Sequence, residues 1–203
     1  MKKWVLLSIV IIVAASLAYL YFFKKGPAPV ENKEPALHIA KNSGPFNTAF
    51  AGMMDEYYSL KDALVEWDTV KATRAAYALG QKVDSLPFGE LKADSAIVLT
   101  AKSMAASVGS ETKGFLGEAG IEEKRRSFNM LTDELYTLIN TVRYDGQKIY
   151  HDRCPMAFND SEEGYWLTND PKIINPYLGK KHPKYKDKMI GCGEINDSLN
   201  FAK

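Results

Sequence analysis

The spacing of apolar residues between Phe128 and Val142 constrains this chain more than any other feature. Phe128, Leu131, Leu135, Leu138 and Val142 recur at alternating intervals of three and four, which puts them on one stripe of an α-helix. A stripe of that kind must be buried, and three earlier segments carry its counterparts. Phe46, Phe50, Met53, Tyr57, Leu60 and Leu64 follow Ser43-Gly44-Pro45, a helix-start signal with proline at the first turn. Val70, Tyr77, Leu79, Val83 and Leu86 follow Asp68, a capping residue, and Pro87 ends that helix. Leu91, Ile97, Met104, Val108 and Phe115 form the third stripe, and Gly109, Gly114, Gly117 and Gly120 are expected to break its end. The charged run Glu122–Arg126, "EEKRR", is expected to keep the outer face of the fourth helix wet. Met53, Met54, Met104 and Met130 are expected to fill gaps in the core.

Four amphipathic segments with short connections bury their stripes most simply in an antiparallel four-helix bundle, here residues 45–144. The expected fold class is therefore all-α, with an irregular, turn-rich C-terminal tail over 145–203 and a single transmembrane helix ahead of the bundle. That helix is read from Trp4 to Phe23, twenty residues without a charge flanked by Lys2-Lys3 and Lys24-Lys25, about the length that spans the hydrocarbon of a bilayer. The segment 1–25 is thus an anchor, with a cleaved signal peptide processed near Ser16-Leu17-Ala18 as the alternative. Either way the rest of the chain is expected outside the cytoplasm, in the periplasm of a bacterium and tethered to the inner membrane. The proline-bearing stretch 26–44 reads as a linker. Outside the lysine-flanked start, 22 Lys and Arg face 25 Asp and Glu, a balance that offers nothing to nucleic acid.

After Asp145-Gly146 the helical period stops, and Gly, Pro, Asn, Asp and aromatic residues punctuate short runs. Turns with a small two-stranded piece are expected there, and so long an irregular segment needs something to hold it. Both cysteines lie in it. His151, Cys154 and Met156 cluster in "YHDRCPMAF", and Met189 and Cys192 close the pattern in "KMIGCG". Thiolate and thioether are soft donors suited to Cu(I) or Ag(I), whereas zinc sites seldom use methionine and no C-x-x-C pair is present. The competing reading is a Cys154–Cys192 disulfide, the simplest fate of two cysteines in an oxidising compartment. Tyr150, Trp166 and Tyr177 can serve either as a wall around a metal or as the small core of the tail. His182 lies in the lysine-rich run "KKHPKYKDK", read as a solvated loop. Phosphate loops, nucleophile elbows and metalloprotease motifs are absent from the sequence, so no enzymatic activity is expected.

Taken together, "YHDRCPMAF", the tryptophan of "GYWLT", "IINPYLG", "KMIGCG" and the helical "YYSLKDALVEWD" resemble the bacterial domain of unknown function 3347 over about residues 46–195. Members occur as separate exported proteins and as the C-terminal part of periplasmic adaptor subunits of copper and silver efflux pumps. The resemblance implies a setting in metal efflux or handling, with an efflux or metallochaperone protein as partner. Carried over by position, it points to Cys154, Met156, Met189 and Cys192, and His151 is added here as a secondary ligand.

Overall fold

Ser43 opens the first helix in the expected way: its hydroxyl accepts the Phe46 N–H at 3.2 Å, with Pro45 in the first turn. The computed structural model describes residues 41–202, together with Ser16 and Tyr19. The chain divides into two compact units, Met1–Ala36 and Leu37–Lys203. In the first, Ser16 and Tyr19 are helical and exposed, and the rest of the expected anchor lies outside the described residues, as does most of the linker. Among the described residues no helix is long and apolar enough to cross a membrane.

In the second unit, helices α1 (Gly44–Val65), α2 (Thr69–Asp84), α3 (Ser95–Gly117) and α4 (Ile121–Val142) follow one another in sequence. Asp68 caps α2 by accepting the Lys71 N–H at 2.9 Å, and the helix stops ahead of Pro87. The stripes of α1 and α4 are buried as read: Phe46, Phe50, Met53, Tyr57, Leu60 and Leu64 meet Phe128, Leu131, Leu135, Leu138 and Val142 in one core. Fully burying an aliphatic or aromatic side chain of this size contributes roughly 1.5 to 3 kcal/mol, so these two helices supply a large share of the stability of the unit.

Several expectations are corrected. Val70 and Tyr77 are 59% and 60% exposed, whereas Leu79, Val83 and Leu86 of the same stripe are buried, and Ala72, Ala75 and Ala76 complete the inner face of α2. An alanine face lets helices approach closely but leaves a weak apolar signal. Gly109 and Gly114 do not break α3, which runs on to Gly117. Gly80 fits against Thr112, where a Cβ would stand 3.4 Å from its hydroxyl oxygen, so close packing of α2 on α3 offsets the cost of about 1 kcal/mol of a helical glycine. Met130 points outward, 54% exposed. Within the run expected to be wet, Lys124 and Arg125 are buried, and both find backbone acceptors.

The tail departs furthest from an all-α fold. It builds a three-stranded antiparallel sheet, β1 (Ile149–Phe158), β2 (Glu162–Thr168) and β3 (Glu194–Leu199), with β1 in the centre. Asn159 and Asp160 turn the β1–β2 hairpin at φ 50° and 59°, a left-handed conformation that these two residue types tolerate. The sheet is tied to the bundle through Tyr57, whose hydroxyl accepts the Leu167 N–H at 3.1 Å and pairs with the Thr132 hydroxyl at 2.7 Å. Asn129 of α4 accepts the Tyr165 N–H at 2.8 Å and the Tyr177 hydroxyl at 3.0 Å. Trp166 and Tyr177 are buried and join the bundle core, while Tyr150 is partly exposed.

Candidate metal centre

Cys154 lies in the central strand, paired to Gly164 of β2, and is fully buried. Its pairing with Gly164 is tight, because a Cβ there would meet Ala157 Cβ at 2.6 Å and the Tyr177 ring at 2.8 Å. Cys192 arrives from the other side of the tail, half-buried, in a turn whose N–H donates to the Met189 carbonyl at 3.0 Å. The two Sγ atoms stand 3.6 Å apart, and both thiols are free.

Gly193 makes that approach possible. At φ +140° it passes flush against β1, where a Cβ would lie 2.7 Å from the Arg153 carbonyl oxygen and 2.8 Å from Trp166 Cη2. The next residue, Glu194, pairs with Arg153 at the start of β3, and the two side chains form an ion pair.

Asn175 holds the turn from the opposite side. Its side-chain amide donates to the Cys192 carbonyl at 2.7 Å, and its own N–H donates to the Ile190 carbonyl at 2.8 Å. Its side-chain oxygen accepts the N–H groups of Tyr177 at 2.8 Å and Leu178 at 3.0 Å. The bracket Asn175-Pro176-Tyr177-Leu178-Gly179 is in turn fastened to the helices. The buried Arg125 guanidinium donates to Pro176 O at 3.0 Å and Leu64 O at 3.3 Å, and pairs with Glu122 at 3.1 Å. It also stacks 4.0 Å from the Trp67 ring, whose indole N–H donates to Leu178 O at 3.1 Å. Burial pulls the Arg125 guanidinium down to about 10, opposed by Glu122, so it stays charged at neutral pH. Gly179, at φ +54°, clears Val65 O by an approach that a Cβ would reduce to 2.6 Å. Sequence reading missed Arg125 and Trp67 entirely, because a charged run and a helix-end tryptophan carry no mark of what they will clamp.

Met156 and Met189 each sit close in sequence to one thiol, and both are partly buried against the common core. His151 goes elsewhere. The β1–β2 register is unbroken from Tyr150 to Cys154, so residues three apart point to opposite faces, roughly 10 Å apart along the strand. The His151 ring is sandwiched between Tyr136 at 4.3 Å and Tyr165 at 5.1 Å, with neither nitrogen hydrogen-bonded. Burial lowers its pKa, and Asp197 opposes that effect. His182 also lies apart from the thiols: its Nδ1 accepts the N–H groups of Lys184 and Tyr185 within its own turn.

Among the described residues no group of three or more His, Cys, Asp and Glu side chains is arranged to hold a metal ion, so a centre here rests on the thiol pair. At a metal–thiolate bond of about 2.3 Å, two sulfurs 3.6 Å apart both reach one ion lying off the line between them. The donor set thus fits a soft ion with an open side. Burial, and then the neighbouring Cys154 thiol, push the Cys192 thiol up to about 11, so it keeps its proton at neutral pH until something replaces it. On the face of β1 shared with Cys154, Asp152 is fully buried, and neither carboxylate oxygen has a hydrogen-bond partner. Burial raises it to about 7, while Lys61 pulls the other way and the Trp166 indole faces it without closing a hydrogen bond.

Comparison with curated proteins finds no match, and neither does comparison with solved structures. The family comparison reaches from α1 to Gly146 and stops just ahead of β1, so the four sulfur-bearing residues lie outside the matched stretch. Over residues 53–146 the chain matches the family described as Protein of unknown function (DUF3347), the one that its motifs resemble.

Proposed function

We propose that this protein is an exported, membrane-tethered carrier that binds one Cu(I) or Ag(I) ion between Cys154 and Cys192 and passes it to an efflux or metallochaperone partner. The observation that supports this reading is the pair of free sulfurs 3.6 Å apart, one fixed in a central strand and one on a half-buried turn. Soft sulfur donors favour these monovalent ions over Mg, Ca or Zn. This reading assigns the open side to Met156 and Met189, which lie near the two cysteines in sequence, and a thioether is readily displaced by the sulfur of a partner. The protein is a binding module without catalytic chemistry in this reading, and it works from the periplasmic side of the inner membrane.

The test is a competition titration of the reduced full-length protein with Cu(I) or Ag(I) against a calibrated chelator. One ion per chain is expected, with Cys154→Ser and Cys192→Ser each weakening binding by about 100-fold or more. Unchanged affinity in either variant overturns the reading. The same short separation also favours a second reading, a disulfide-locked interaction module without metal, since closing to about 2.05 Å needs only a small shift of the turn. That reading expects no free thiol in protein taken from its own compartment.

A further inference from the structure

We propose that Cys154 and Cys192 form a reversible dithiol–disulfide couple that gates the site, leaving it open to soft metal only when reduced, with Cys192 as the sulfur where exchange begins. The gating half of this rests on the metal-binding reading above.

The two cysteines are held very differently. Cys154 belongs to a strand hydrogen-bonded on both sides, and no part of it is exposed. Cys192 is half-buried on a turn between Gly191 and Gly193, and a Cβ at Gly191 would meet nothing within 4 Å. Closing the gap from 3.6 Å to a bond of about 2.05 Å therefore moves the turn and leaves the strand in place. The same asymmetry decides which sulfur an incoming disulfide can reach, because a buried thiol admits no bulky partner.

The reaction balances with a disulfide compound as oxidant. Cys192 gives up its proton and attacks one sulfur of the incoming disulfide, forms a mixed disulfide and releases the first thiolate. The Cys154 thiolate then attacks the Cys192 sulfur, forms the internal bond and releases the second. Two cysteine thiols are oxidised, one disulfide is reduced to two thiols, and the two cysteine protons pass to the leaving sulfurs. A disulfide has no thiolate left to donate, so bond and metal compete for the same sulfurs.

The test equilibrates the full-length protein in buffers of reduced and oxidised glutathione, counts free thiols by alkylation and mass spectrometry, and measures Ag(I) uptake by both end states. Both thiols are expected to disappear together as an internal bond, and Ag(I) is expected to bind the oxidised form at least about 100-fold more weakly than the reduced form. Cys154→Ser should accumulate a glutathione adduct at Cys192, and Cys192→Ser should resist modification. If no internal bond forms in any buffer, or if Cys154 is the residue that takes up glutathione, the couple is overturned. If the bond forms and both states bind Ag(I) equally, the gate is overturned and metal binding survives. If the bond forms and reduced protein takes up no Ag(I), the metal reading fails and the gate fails with it.

Discussion

The side-chain amide of Asn175 donates to the Cys192 carbonyl at 2.7 Å, which ties the position of one sulfur to a bracket that Arg125 fastens to the helices. The sulfur pair is thus held by a chain of hydrogen bonds that begins at the helix α4 side chain of Arg125 and ends one residue before Gly193. Asn175→Ala removes that chain and leaves the buried N–H groups of Tyr177 and Leu178 without their acceptor. It should destabilise the protein by about 3 kcal/mol in denaturant unfolding and speed alkylation of Cys154 in the folded protein. Alkylation at the parental rate would show that the bracket does not position the turn.

Gly193→Ala isolates the geometry of the site without touching a sulfur. An added methyl group collides with the Arg153 carbonyl and the Trp166 ring at a backbone angle that L-residues avoid. The expected result is a loss of about 2 kcal/mol and weaker Cu(I) binding with both thiols still present. Gly191→Ala, where open space surrounds the added carbon, serves as the control and should change neither.

Proton release reports on Cys192. Burial and the neighbouring Cys154 raise its thiol to about 11, so at pH 7 a metal must displace that proton before it can bind. Affinity for Ag(I) should rise with pH, by about tenfold per unit for this one proton, throughout the range below 11. Titration calorimetry in buffers of different ionisation enthalpy counts the protons directly, and a pH-independent affinity would contradict the assignment.

The helices were legible because their signals are local. The serine and aspartate caps, the three-and-four spacing and Pro87 each act within one or two turns of chain, and the structure places α1, α2 and α4 where those signals point. The sheet was not legible, since β1 reads "IYHDRCPMAF" and carries His, Asp and Arg in a strand buried on both faces. Its alternation makes sense only once Tyr136 covers His151 and the helices cover Asp152. The approach of Cys154 to Cys192 was expected under both readings of the cysteines, as ligands or as a disulfide, but the means were hidden: Asn175, Arg125 and Trp67 act across 17, 51 and 111 positions of sequence. Separations of that size leave no periodic trace.

Asp152 makes stability depend on pH. Burial raises its carboxyl to about 7 from the usual value near 3.8, so between about pH 4 and 7 the folded chain keeps a proton that the unfolded chain releases. Stability falls as pH rises through that window and stays low above it. Asp152→Asn removes the ionisation, so the variant should be more stable than the parent by about 2 to 3 kcal/mol at pH 8, with the gap closing near pH 4. Denaturant unfolding at the two pH values checks this, and a gap of equal size at both would refute it.

X-ray absorption at the copper edge of the reduced, Cu(I)-loaded protein tests the central claim most directly, because it sees the atoms bound to the ion. A shell of two or three sulfurs at about 2.3 Å, without nitrogen, is the predicted result, with loss of that shell in Cys192→Ser. A shell dominated by nitrogen or oxygen, or no retained copper at all, would contradict the thiol pair as the metal-binding centre of this protein.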